Sequence, residues 1–383
     1  MYLIDGQLRD ACDLDAALER LQADLADRLS TPLESSTVIS AATCFAEQLS
    51  GDNQALALDL EHRQALIEFC TAEALQNKLQ RELGAQPGSL RRIDYRQSRF
   101  ECWSPLGLVV HITPGNAPLL AFCAVLESLL AGNVNWLRPS SSDRGLSARL
   151  LHALLQCDSS GQLAGHVAVL PVSTGQIGQL CQRANGVAAW GGEPALQAIR
   201  KQLPSGCRWI DWGHRISFVY LTGEAATAQN LDAVADEVCR LDQQACSSPQ
   251  WLLVDSDDPV VLREIGERMA AAFERRAGQW PALLPTPQEG AQITTHTHMA
   301  RLAQSFAEQT GHVWSAPGWR VIWAHARQLA PSPLFRSVLL HPVPRSLITD
   351  TLLPWRNVLQ SCALLCGEAQ IGELARMLIR AGV

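Results

Sequence analysis

Apolar positions in the first eighty-odd residues recur at helical spacing. Leu14, Leu18, Leu21, Leu25 and Leu29 fall three or four apart with charges between them, which predicts an amphipathic helix. A second run covers Thr37 to Leu49 and stops at Ser50-Gly51. A third starts near Leu58 and stops at Gly84, a residue suited to a left-handed C-cap. Near Arg91 the pattern changes, and short apolar runs alternate with amphipathic stretches. LGLVVHI (106–112) reads as a buried strand, and Pro118 to Leu130 as a helix closed by Gly132-Asn133. VNWLRP, HVAVLPV and GVAAWGG read as strands, with helices over Leu146 to Leu155, Ile177 to Arg183 and Ala195 to Leu203. CRWIDWG and ISFVYLTG complete the series. Strands separated by helices of this length predict βαβ units and a mostly parallel sheet covered on both faces.

From Asn230 to Arg240 a helix leads through DQQACSSPQ into the strand WLLVD, and βα alternation continues to the end. The Pro-rich stretch 280–290 predicts an exposed loop. The expected partition is a helical segment over 1–90, an α/β domain over 91–230 and a second α/β domain over 231–383.

Composition narrows the function. The 383 residues are 47% apolar and 18% charged, with a net charge of −7 and no basic run. A mildly acidic chain of this kind is a poor partner for nucleic acid or an anionic membrane. No basic leader precedes an apolar run, and no stretch approaches the ~18 apolar residues of a membrane span. The expectation is a cytoplasmic protein with reduced cysteines. Cys362 and Cys366 lack a second pair, and His296 and His298 are expected at the start of a helix. No metal is expected on these spacings.

Two segments carry candidate chemistry. In Asp242-Gln243-Gln244-Ala245-Cys246-Ser247-Ser248-Pro249-Gln250 a helix pattern ends, small polar residues surround one cysteine, and a strand begins. Cys246 on such a loop is either an accessible nucleophile, with nearby backbone N–H groups to stabilise a thiolate, or a small packing residue. Packing suits the other eleven cysteines, Cys44, Cys70, Cys123 and Cys181 among them. In PLGLVVHITPGNAP (105–118) a strand runs into a Pro-Gly turn. Asn116 there is either a helix N-cap or an amide aimed at a carbonyl oxygen at the sheet's C-terminal edge.

Together PLGLVVHITPGNAP, GNVNWLRPSSSD, WIDWGHRISF, DQQACSSPQ and the terminal LQSCALLCGE…LARMLIRAGV resemble the LuxC-type acyl-CoA reductases. These are the fatty acid reductases of bacterial bioluminescence and their relatives, within the aldehyde dehydrogenase superfamily. The resemblance covers roughly 95–383 in order, with QQxCxSPQ and PGNxP as its specific parts. It implies an aldehyde dehydrogenase-like α/β fold: a Rossmann-like NAD(P)-binding domain carrying the N-terminal helical segment, and a catalytic domain. It implies NADPH-dependent reduction of an acyl thioester, acyl-CoA or carrier-bound, to an aldehyde. Cys246 matches the nucleophile and Asn116 the oxyanion-stabilising asparagine. An acyl-transferring or synthetase subunit and self-association into a homo-oligomer are implied as partners.

Cofactor positions carry over piecewise. Thr113 and Pro114 lie on the turn after the first sheet strand of the series. Arg138-Pro139-Ser140-Ser141 matches the superfamily's Lys-Pro-Ser-Glu turn, with a serine where the glutamate would hold the adenosine ribose. Loss of that carboxylate favours NADPH over NADH, with Arg138, Ser140 and Ser141 on the 2′-phosphate. Gly175 and Gly178 open the next helix, and Gly191 and Gly192 match the Thr-Gly-Ser turn. Asp211 stands where hydrolytic members have their water-activating glutamate, and His214 is an alternative base. Pro331-Ser332-Pro333-Leu334-Phe335 stands in place of a Glu-x-Phe that holds the nicotinamide ribose. Family members continue through a further strand, so a shortened C-terminus is expected here. Two other readings keep some of these residues: a cofactor-independent cysteine acyltransferase or thioesterase, and a degenerate member that only binds.

Overall fold

The computed structural model describes residues 1–51, 56, 58–84, 88–306, 311–323 and 328–383. The chain divides into two compact units, Met1–Gly213 and His214–Val383. The first opens with strands β1 (Tyr2–Ile4) and β2 (Gln7–Arg9), so its N-terminus is not wholly helical. Helices α1 (Leu14–Ala23), α2 (Leu25–Ser30), α3 (Ser35–Ser50), α4 (Leu60–Phe69) and α5 (Ala72–Leu83) follow. The run from Leu14 to Leu29 breaks at Asp24, and the run from Leu58 to Gly84 breaks where Thr71 caps α5 with its hydroxyl. Gly84 ends α5 in the left-handed conformation, φ 66°, as the pattern predicts.

An exposed hairpin, β3 (Arg91–Asp94) and β4 (Arg99–Glu101), precedes the alternating series. That series is β5 (Leu108–Ile112), α6 (Leu120–Leu130), β6 (Val134–Arg138), α7 (Leu146–Gln156), β7 (Val167–Val169) and α8 (Ile177–Cys181), then β8 (Gly186–Trp190), α9 (Glu193–Arg200) and β9 (Arg208–Trp212). The sheet order is β2-β1-β7-β6-β5-β8-β9, parallel except for the two N-terminal strands. Leu108, Val110 and Ile112 bury one face of β5 against Leu180, Leu196 and Ile199. The opposite face is covered by α3, α6 and α7 through Phe45, Phe122, Leu126 and Leu151.

The second unit holds β10 (Ile216–Leu221), α10 (Ala228–Cys239), β11 (Pro249–Val254), α11 (Pro259–Arg276) and α12 (Pro287–Phe306). It continues through β12 (His312–Ala316), β13 (Trp319–Trp323), β14 (Ser337–Pro342), α13 (Ile348–Leu352), β15 (Leu359–Leu365) and α14 (Ile371–Ala381). Its sheet runs β12-β13-β14-β11-β10-β15. Along β10, Ile216, Phe218 and Tyr220 pack with α13 and α14, while Val219 and Leu221 pack with α10 and α11.

This placement of β10 corrects the expected boundary near 230. ISFVYLTG reads like one more strand of the first sheet. It pairs instead with β11 and with the much more distant β15, and apolar pattern alone does not say which sheet a buried strand joins. His296 and His298 also depart from expectation, lying within α12 rather than at its start. Among the described residues no helix is long and apolar enough to cross a membrane, and no group of three or more acidic, His or Cys side chains could hold a metal.

His111, in the middle of β5, is buried on both sides. Its Nε2 donates to Asn135 Oδ1 at 2.9 Å, because the Asn135 amide is already spent on the Asn133 carbonyl at 2.8 Å. Nδ1 has no hydrogen-bond partner among the described residues. Burial therefore drives the imidazole down to about 4 from 6.5. The unfolded chain binds this proton at higher pH than the folded one, so its stabilising contribution is lost as pH falls from 6.5 towards 4. The loss amounts to about 3 kcal/mol. Urea unfolding between pH 7 and 4 should show this slope, and His111→Gln should remove that part of it.

Candidate functional site

The residues singled out by sequence fall in both units. In the first sheet, β5, β6 and β7 step towards one edge while β8 and β9 step towards the other. Loops leaving β5 and β8 thus diverge at a topological switch point, where open α/β sheets bind ligands. Thr113-Pro114-Gly115-Asn116 leaves β5. Thr113 is buried, and its N–H donates to the Arg138 carbonyl at the tip of β6, 3.2 Å away. Gly115 backs directly onto the next turn: a Cβ there would lie 3.0 Å from Ser140 Oγ and closer still to Ser142 Oγ. Those two hydroxyls are hydrogen-bonded at 2.7 Å, with Ser141 exposed between them.

Arg138 ends β6 half-buried, and its Nε donates to the Val172 carbonyl at 3.3 Å. Burial pulls its guanidinium down from the usual value, and no carboxylate pairs with it among the described residues. Asp143 is turned away to α7, where its Oδ2 accepts from Ser147 N at 3.0 Å and Ser147 Oγ at 2.8 Å. A half-buried cation without a carboxylate, followed by serine hydroxyls, suits a phosphate monoester. The residues present therefore fit a dinucleotide bearing a 2′-phosphate.

The glycines divide. Among the described residues Gly175 is exposed with open space before it, whereas a Cβ on Gly178 would meet Gln202 Oε1, the far end of a flexible side chain. Among the described residues, a Cβ on Gly191 would meet Ala195 Cβ at 3.7 Å and one on Gly192 Pro194 Cδ at 3.9 Å, leaving room for close approach after β8. Beside them the Trp190 and Trp212 rings stack, centroids 5.8 Å apart. Asp211 is exposed near the end of β9. Asn116 is exposed and is not the N-cap that its sequence position suggested. Helix α6 starts at Leu120 with Leu119 at the cap position, beyond the turn at Pro118.

In the second unit the motif Asp242–Gln250 runs from the end of α10 into β11, a strand flanked by β10 and β14. Asp242 and Gln243 adopt positive φ, 49° and 62°. The polar residues of the motif hold the loop. Asp242, 3% exposed, is ion-paired with Arg336, also 3% exposed, and accepts from Leu283 N at 2.6 Å. Gln243 donates to Pro249 O at 2.8 Å and accepts from Ser337 N at 2.7 Å. Gln250 donates to Arg215 O at 3.3 Å and accepts from Ser332 N at 3.1 Å. The segment 331–335 that supplies Ser332 holds no carboxylate, and Leu334, Phe335 and Arg336 all have positive φ, 61°, 50° and 59°.

Cys246 sits exposed on this loop. Ser217 Oγ on β10 donates to its carbonyl at 2.7 Å and lies 2.8 Å from Ser361 Oγ on β15. Gln360 Nε2 donates to Cys246 Sγ at 3.1 Å. Sequence reasoning missed Ser217, Gln360 and Arg336, since each is distant in sequence and ordinary in its local context. Burial pushes Cys70, Cys123, Cys181 and Cys362 up to about 12, as suits packing residues. Cys102 is an exception to the packing reading: it is exposed, just past β4. His214 begins the second unit, exposed overall, with enough of its ring buried to pull it below 6.5. Among the described residues no hydrogen bond joins it to Cys246.

Solved structures share this architecture. A putative aldehyde dehydrogenase from Burkholderia cenocepacia superposes with TM-score 0.73 at 16% identity, covering 100% of this chain and 87% of its own. Succinic semialdehyde dehydrogenase from Streptococcus pyogenes, solved with NADP+, gives TM-score 0.70 at 14% identity over 97% of this chain and 86% of its own. The fold is that of the aldehyde dehydrogenases. Residues 24–383 match the acyl-CoA reductase (LuxC) family, and the chain belongs to it. Long-chain acyl-protein thioester reductases are similar in sequence: that of Aliivibrio fischeri is 24% identical across 74% of this chain and 58% of its own length. That of Vibrio harveyi is 25% identical across 74% and 59%. The chain thus spans under two thirds of the length of these relatives.

Removing one partner of a buried ion pair strands the other charge and costs about 3–5 kcal/mol. Asp242→Ala should lower the unfolding free energy by about that amount in urea titrations. Asp232→Ala, at an exposed pair with Arg275, should cost about 1 kcal/mol or less.

Proposed function

We propose that this chain reduces an acyl thioester to an aldehyde at the expense of NADPH, through an acyl group carried on Cys246. The observation that carries the reading is an exposed cysteine held on a braced loop with an amide N–H directed at its sulfur. The Cys246 thiolate attacks the acyl carbonyl, a tetrahedral oxyanion forms and collapses, and the carrier thiol leaves as the cysteine thioester is made. Cys246 contributes its own N–H to oxyanion stabilisation, and Asn116 matches the side-chain amide that the resemblance assigns to the same role. Bound NADPH supplies the hydride, and the balance is acyl thioester plus NADPH plus a proton giving aldehyde, free thiol and NADP+.

Unit 1 binds the dinucleotide, with Gly191 and Gly192 allowing close approach, Thr113 and Pro114 lining the β5 turn, and Arg138, Ser140 and Ser141 on the 2′-phosphate. The names of the similar reductases support an acyl group delivered on a protein thiol. Asp211 in place of a glutamate suits an enzyme that must protect its thioester from water, and His214 remains the candidate proton carrier.

Incubation with a long-chain acyl-CoA and NADPH should consume cofactor and release aldehyde in equal amounts. Cys246→Ala should abolish both. Thiol release without cofactor oxidation would point to a transferase or thioesterase, and binding without turnover to a degenerate member. Arg138→Ala should raise the KM for NADPH by about 10- to 100-fold while changing that for NADH little. Equal effects on both cofactors would remove Arg138 from the 2′-phosphate.

A further inference from the structure

We infer that Gln360 is a catalytic residue whose side-chain amide donates to the Cys246 sulfur and favours its thiolate. The inference rests on the reading of Cys246 as the acyl-accepting nucleophile. Gln360 lies on β15, the edge strand of the second sheet, 114 residues from Cys246 in sequence. Along a regular strand, neighbouring side chains point to opposite faces. Here two consecutive residues serve the same loop: Gln360 reaches Cys246 Sγ at 3.1 Å, and Ser361 reaches the Ser217 hydroxyl that holds the Cys246 carbonyl.

A pairing irregularity makes this possible. Ile216 pairs with Leu359, but Phe218 pairs with Cys362, so Ser217 alone stands opposite both Gln360 and Ser361. The same serine marks a second irregularity, because Ser217 pairs with Pro249 while Phe218 pairs with Trp251. An extra residue in one strand turns its neighbours from strict alternation, and such bulges re-aim side chains beside active sites. Both irregularities meet at the nucleophile loop.

The chemistry favours one protonation state. A thiol sulfur is a weak acceptor, whereas a thiolate accepts strongly, so an amide donor stabilises the reactive form. A neutral amide keeps its donor at every working pH. It also adds no positive charge that would hold back the thiolate's attack.

The test measures Cys246 alkylation by iodoacetamide on the intact protein at pH 7, by peptide mass spectrometry, with the exposed Cys102 as internal reference. Gln360→Met should slow Cys246 alkylation about three- to ten-fold. Gln360→Glu should slow it further, and Gln360→Lys should restore at least the native rate. Cys102 should be unchanged in all three. Equal slowing by Met, Glu and Lys would assign Gln360 to packing, and native rates in Met and Glu would leave it a surface contact; either overturns the inference. Loss of acyl reduction in the native protein, with the alkylation order intact, would instead overturn the functional reading while leaving the amide–sulfur donation in place.

Discussion

Asp242 and Arg336 meet where water does not reach, and the shape of the Cys246 loop follows from that contact. Desolvating two charges is expensive, so neither stays buried unless the other is present and the remaining hydrogen-bonding capacity is filled. Arg336 fills its own with carbonyls of Ala277, Trp280 and Pro281, and Asp242 with the N–H of Leu283. The pair ties the end of α10 to the segment that enters β14 and to the Pro-rich loop before α12. Gln243 then bridges β11 and β14 from the next position. Cys246 is presented by a frame of main chain and buried polar side chains, with Ser217 and Gln360 bonded to its own carbonyl and sulfur.

Much of this was legible in the chain. Alternation of short apolar runs with helices foretold parallel sheets covered on both faces, and Gly84 and Gly132 marked helix ends because each needs a positive φ. DQQACSSPQ pointed to an accessible cysteine through its small polar neighbours, and the cysteine is exposed. What escaped was whatever depends on partners far along the chain. The sheet to which β10 belongs is decided by β15, more than a hundred residues later. The first strands, β1 and β2, are three residues each, too short to carry a period. The asparagine of PGNAP resembled a helix cap, but α6 starts only at Leu120, with Leu119 at the cap position. The Asp242 and Gln243 side chains looked like ordinary loop polarity, yet they carry the loop's tertiary bonds.

The proposed reaction divides its physical demands between the two units. A dinucleotide needs loops that diverge and backbone it can approach closely, and the strand order of the first sheet provides both at β5 and β8. A nucleophile would need a fixed position, and hydrogen bonds to main chain fix the Cys246 loop in the second unit. Arg138 shows how one absent acid can matter. With serine at 141 and Asp143 bonded to Ser147 at the start of α7, no carboxylate among the described residues pairs with the arginine.

Five residues other than glycine adopt left-handed backbone around the Asp242–Arg336 pair: Asp242, Gln243, Leu334, Phe335 and Arg336. Each conformation costs about 1–2 kcal/mol for an L residue, so neither segment would hold this shape alone. The pair's members are separated by 94 residues. The loop therefore takes its working form only once β11 and β14 are side by side, a late and non-local event in folding. Through it, the fixed position of the Cys246 thiol is coupled to the completeness of the fold: a partly folded chain contains the same cysteine but does not yet hold it on this loop.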